Sequence, residues 1–257
     1  MSEVLTDERI AAVLRPFVRS TAPVLTTLRE SDPLRLRPRF HAGADRAPRR
    51  FDPLLRRLDR MRLPGSARWD AMTARQRSDW WTRRVGRVIA VVAGLPSFGG
   101  AIASRLPVRD ALGMAGQGLV LGAIAGEHGC HDQAEQVRLL ASVLLGRDLP
   151  VEVAAGRTAD DDARTRELSG ELDDARSEGR PGVRVFARTV WRMARALWEV
   201  GSALENRPRG RFYHELLGLV PVIGFIGGYL GERSALRRVS RRGRRWIRRR
   251  QGERPGG

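Results

Sequence analysis

Apolar residues recur along this chain at helical spacing, and nowhere in a sustained strand alternation. Ile10, Val13, Leu14 and Phe17 share a face behind Thr6, which can cap a helix with Asp7 and Glu8 near its positive end. Pro16 is expected to kink or end that helix. Residues 67–94 also read as helical, with Trp80, Trp81, Arg83, Arg84 and Arg87 leading into the run Val88 to Val92. Gly94, Pro96, Gly99 and Gly100 then break the helix or turn the chain back. A helix of small residues follows over Ala111 to Gly126, and Asp132 with Glu135 signals the start of another that stops at Gly146. From Val183 onward, Phe186, Val190, Met193, Leu197, Val200 and Leu204 step by fours and threes, the mark of a core-facing seam. The last apolar stretch, Leu216 to Gly231, holds Pro221, Gly224, Gly227 and Gly228. Its Pro221-Val222-Ile223-Gly224 resembles Pro96-Ser97-Phe98-Gly99 in the first stretch. The expected fold is all-α, a helical bundle with two Gly/Pro-hinged apolar hairpins.

Charge divides the 257 residues further. The net charge is +18, and every basic residue is Arg. Residues 1–66 read as a basic, partly disordered region, with Pro33, Pro38, Pro48 and Pro53 in a mobile linker. Residues 67–150 form the first apolar helical part. Residues 151–182 are an acidic connection, expected to be solvated and to carry a short charged helix. Residues 183–231 form the second helical part, and 232–257 an Arg-rich tail or helix with 11 Arg against two acids.

The uncharged runs are short for a bilayer. Val88 to Ser104 is 17 residues and Ala111 to Gly126 is 16, where an ordinary spanning helix takes about 20. Runs of this length suit buried core helices or shallow, re-entrant segments. Gly118, Gly122 and Gly126 lie four apart, as do Gly224 and Gly228, a spacing that lets helices approach closely in lipid or in a tight bundle.

Little points to catalysis. His128, Cys130 and His131, with Glu127 and Asp132 beside them, are ligand types for zinc, but neighbours in one turn cannot all face one ion. The stretch reads as a connecting turn with Asp132 as cap. His41 and His214 are isolated, and the chain has neither a GxSxG elbow nor a GxxxxGK[ST] phosphate loop. No catalytic residue, metal or cofactor is expected. The single cysteine gives no disulfide framework, and the first residues lack the apolar core of a signal peptide, so the expected compartment is the cytosol or the cytosolic face of a membrane.

The strongest surface signal is the final stretch, where residues 233–250 hold ten Arg and no acid. Leu236, Val239, Trp246 and Ile247 fall near one helical face. The expectation is an interfacial helix. Trp246 and Ile247 would enter the headgroup boundary, while Arg237, Arg238, Arg241, Arg242, Arg244, Arg245, Arg248, Arg249 and Arg250 meet lipid phosphate. The same residues suit a nucleic-acid backbone as an alternative partner. Ser240, after Arg237-Arg238-Val239, offers a phosphorylation site that would oppose lipid phosphate. The hinge set is Gly94, Pro96, Gly99, Gly100, Pro221, Gly224, Gly227 and Gly228.

Several stretches together resemble the EcsC-like family, named for a protein encoded beside a bacterial ABC transporter. They are Gly94-Leu95-Pro96 through Gly100, Asp110-Ala111-Leu112, Ala125-Gly126-Glu127-His128-Gly129-Cys130-His131-Asp132 with its Leu-rich helix, and Leu219-Val220-Pro221-Val222-Ile223-Gly224. The resemblance covers roughly residues 80–240; where the family tends to have Tyr-Gly, this chain has His128-Gly129. It implies a helical protein associated with the inner face of a membrane, and it brings no catalytic set. Together with the charge, it gives the expected function: a non-enzymatic scaffold or accessory factor on an anionic cytoplasmic membrane surface, with any protein partner unidentified.

Overall fold

Asp132 opens a helix as its spacing to Glu135 foretold. Its carboxylate accepts the Glu135 backbone N–H at 3.1 Å, and the helix ends at Gly146 with φ 63°. The computed structural model describes residues 6–30, 67–93, 108–179, 182–205 and 225–253. Among these the elements are α1 (Asp7–Glu30), the single turn α2 (Ala67–Asp70), α3 (Ala74–Ala93), α4 (Val108–Glu127), α5 (Gln133–Leu145), α6 (Val151–Ala155), α7 (Ala159–Thr165), a π turn (Arg166–Gly170), α8 (Glu171–Ser177), α9 (Val183–Glu205) and α10 (Phe225–Glu253). No strand occurs among the described residues, so the all-α expectation holds.

α4 lies at the centre. Ala111, Leu112, Ala115, Leu119, Val120, Leu121, Ile124 and Ala125 are all buried, which leaves this helix almost no polar face. It packs against α1, α3, α5, α9 and α10. Glycine makes the approach possible. A Cβ at Gly118 would stand 2.6 Å from the Phe17 ring of α1, and one at Gly122 would stand 3.3 Å from Thr21 Oγ1. A Cβ at Gly116 would stand 3.0 Å from Ile89 of α3. The four-residue glycine spacing is thus occupied by a helix contact inside the bundle. No helix of the described residues is long and apolar enough to cross a membrane.

The seam of α9 is core: Val190, Met193 and Leu197 are fully buried and Val200 nearly so. Of the two outcomes expected at Pro16, a kink or an end, α1 does not end there. Both Pro16 and Pro23 lie inside a continuous 24-residue helix. The cost of the two missing N–H groups is outweighed by burial of Ile10, Leu14, Phe17, Val24 and Leu28 against the core. Residues 7–30 are therefore part of the bundle and not of a mobile N-terminal region. The expected linker at 31–53 lies outside the described residues.

Residues 67–93 also divide where the sequence suggested one helix. Thr73 Oγ1 accepts from Gln76 N–H at 3.2 Å, and Gln76 Oε1 accepts from Thr73 N–H at 2.9 Å. This reciprocal capping box starts α3 afresh.

The acidic segment 151–179 differs most from its expected form. α6, α7, the π turn and α8 lie along α1 and do not form a solvated connection. Ala154, Leu168 and Leu172 are buried. Arg15 Nε lies 2.9 Å from Asp161 Oδ2, with both side chains nearly inaccessible, and Arg15 Nη1 donates to the Val153 carbonyl at 2.8 Å. Arg19–Asp162 at 2.6 Å and Arg176–Glu30 at 3.4 Å continue the clasp toward the end of α1.

Candidate functional site

α10 carries the Arg-rich sequence as one continuous helix. Leu236, Val239, Gly243, Trp246 and Ile247 are buried, recurring at intervals of three and four. They face α3, α4 and α5. A Cβ at Gly243 would come within 2.6 Å of Leu121 Cδ2, so α10 lies tightly on the central helix. The expectation that Trp246 and Ile247 enter lipid is corrected here: this apolar side is already covered by protein. Ser240 is corrected in the same way. It sits on the buried side at 2% exposure, out of reach of a kinase in the folded bundle.

The Arg residues occupy the other side. Arg237, Arg241, Arg242, Arg245, Arg248 and Arg249 are exposed. At 3.6 residues per turn they fill an arc of about 140° along about 18 Å of helix. None of the six has an ion-pair partner among the described residues. Arg238, Arg244 and Arg250 are half-buried: by helical spacing Arg238 falls within the arc, Arg244 at its edge and Arg250 on the side of Trp246. Arg244 Nη1 meets Asp79 Oδ1 of α3 at 3.0 Å, and the Arg250 guanidinium lies 5.4 Å from the Trp246 ring centroid. Of the eleven expected contact residues, eight Arg are therefore on or beside one solvent face, Arg250 lies on the Trp246 side, and Trp246 and Ile247 are core.

The hinge residues fare differently. Gly94, Pro96, Gly99, Gly100, Pro221 and Gly224 lie outside the described residues, as does the resemblance between their two segments. Gly227 and Gly228 fall inside α10, where the helix is unbroken.

A polar junction closes the far end of the bundle. Glu127 Oε1 accepts from Arg29 Nη2 and from Trp81 Nε1, each at 3.0 Å, and Arg77 Nη1 lies 3.5 Å from Oε2. The next residue, His128, accepts from Gln251 of α10 through its carbonyl at 2.9 Å. Its ring nitrogen Nε2 lies 3.4 Å from Ser78 Oγ of α3. Burial lowers the His128 pKa; Arg244 and Arg248 push the same way, and Glu127 opposes them. Residues 127 and 128 thus tie α1, α3, α4 and α10 together. Cys130 is half-buried, and its carbonyl accepts from Gln136, while His131 is exposed. Among the described residues, no three His, Cys, Asp or Glu side chains are placed to hold a metal ion.

The described part of α10 thus presents a cationic strip on one side of the bundle. The chain matches no family model, no curated protein and no solved structure.

Proposed function

We propose that this chain is a non-enzymatic helical protein that binds the anionic cytoplasmic surface of a membrane, as a scaffold or accessory factor. The observation that carries the reading is the exposed Arg arc of α10, backed by an apolar side fixed in the bundle. Each cation near such a surface contributes about 1 kcal/mol, so a few engaged together hold the protein there. Attachment in this form is Coulombic and weakens with salt. The resemblance to the EcsC-like family supports the same location.

A second reading, nucleic-acid binding, is favoured by one observation. Burial of Trp246 and Ile247 withdraws the side a lipid-inserting helix would use, which leaves cations alone. Competition separates the two. The membrane reading expects protein bound to phosphatidylserine-containing vesicles to stay there when duplex RNA is added. Transfer to RNA that vesicles cannot reverse would replace it with the nucleic-acid reading.

A further inference from the structure

We infer that the exposed side of α3 belongs to the same binding face as α10, and that the bundle lies flat on an anionic phospholipid surface through both helices, with segment 151–179 turned away. This rests on the membrane reading above. It adds the residues Arg83 and Arg87, and it gives the molecule an orientation.

The register between the two helices comes from two contacts. Asp79 pairs with Arg244, and a Cβ at Gly86 would stand 3.1 Å from Leu236 Cδ1. The helices are therefore antiparallel and side by side. Arg83 and Arg87, four and eight residues beyond Asp79, follow on the same side of α3, and both are exposed. They stand level with the stretch of α10 from Leu236 to about Arg241. Asp79 is an acid at this seam, and Arg244 answers its charge. Trp80, half-buried with Arg84 over its ring at 5.9 Å, adds an indole of the kind enriched at headgroup depth. Two helices side by side make a broad strip of low relief, which a plane of headgroups can touch along both at once.

The segment on the opposite face is net acidic, with nine acids against four Arg over residues 151–179. α1 meets α4 at Gly118 and Gly122, whereas α3 and α10 meet it at Gly116. Two residues along a helix amount to about 200° around it, so the two groups flank α4 from opposite sides. Segment 151–179 is clasped to α1 by Arg15–Asp161, Arg19–Asp162 and Arg176–Glu30. Its Glu167, Asp174 and Glu178 are exposed, without ion-pair partners among the described residues. A phosphate surface attracts one side of the bundle and repels the other, which orients the molecule as it lands.

The test is co-sedimentation of the full chain with vesicles of phosphatidylcholine alone or mixed with phosphatidylserine. Three variants are compared: Arg83→Glu with Arg87→Glu, Arg241→Glu with Arg245→Glu, and Asp174→Arg with Glu178→Arg. All six positions are exposed, and helix content by circular dichroism checks that each variant folds. Arg83→Gln with Arg87→Gln serves as a milder form of the first pair. At about fivefold per cation, each Arg→Glu pair should weaken partition onto anionic vesicles by tenfold or more. The acidic-face pair should bind as well as the native chain or better. Native-like binding by both α3 variants, with binding lost in the α10 pair, would overturn the two-helix face and leave the membrane reading standing. Weakened binding by the Asp174/Glu178 pair would overturn the orientation. A native chain that ignores anionic vesicles would end both.

Discussion

Arg15 and Asp161 stand 146 residues apart in the chain and meet as a buried ion pair, Nε to Oδ2 at 2.9 Å. Asp161 also completes the cap of α7. Its Oδ2 accepts the Thr158 N–H at 2.9 Å, and its own N–H reaches Thr158 Oγ1. Gly156 leaves room for the guanidinium, since a Cβ there would fall 2.6 Å from Arg15 Nη1. One carboxylate thus holds both the start of a helix and its docking onto α1.

Removing one partner of this pair strands a charge away from water. Asp161→Ala should cost about 3–5 kcal/mol, read as a lower urea midpoint. Replacing both partners, Arg15→Met with Asp161→Leu, should recover much of the loss. A single variant as stable as the native chain would show that the segment docks without the pair.

The glycines of α4 differ in what surrounds them, so the same substitution should act in opposite directions. Gly118→Ala forces a methyl against Phe17 and should destabilise by about 1–3 kcal/mol. Gly113 has nothing within 4 Å of a built Cβ. Gly113→Ala should therefore stabilise by up to about 1 kcal/mol through helix propensity. Thermal midpoints of the two variants would check the pair. Equal shifts would mean that α1 moves freely away from α4.

Trp246 and Ile247 should behave as core residues. Trp246→Ala is expected to cost about 3–5 kcal/mol of stability, seen as a lower denaturation midpoint without any membrane present. A truncation after Gly231 likewise removes one wall of the bundle, so its loss of membrane binding would report on folding as much as on contact. Unchanged stability of Trp246→Ala in solution would return this side of α10 to the list of lipid-facing surfaces.

His128 gives a pH dependence whose sign follows from its surroundings. Its pKa is lowered in the fold, chiefly by burial and then by Arg244 and Arg248. The folded state therefore favours the neutral ring. Its contribution to stability is intact above the unfolded imidazole value and falls as pH drops through that value toward the folded one. The expected signature is a thermal midpoint that declines from pH 7.5 to pH 5.5, with a shallower decline in His128→Asn. Parallel declines in both proteins would assign the effect to other groups.

Much of this fold is legible in the residues themselves, because helix signals are local. The threes and fours from Phe186 to Val200, the Asp132 cap and the Gly146 stop all lie within a few turns of the residues they govern. The Thr73–Gln76 box was present as well, in the Thr-x-x-Gln pattern ahead of α3. Amphipathicity in 236–247 was equally visible, but an apolar stripe looks the same whether lipid or protein covers it. Only the position of α4 decides between them. The clasp of segment 151–179 was hidden for a related reason. Charges that pair across 146 residues leave no periodic trace, and the one cue was Arg15 standing among the apolar positions of α1.

The enclosure of α4 also has a consequence for biosynthesis. Its neighbours include α1, the earliest of the described helices, and α10, the latest. When α4 leaves the ribosome, α1 is already available to cover Gly118 and Gly122. The flank around Leu121 has no cover until Gly243 and Trp246 have been translated. Throughout synthesis of the intervening helices, the nascent chain presents an apolar stripe of the kind that chaperones bind and that aggregates form around.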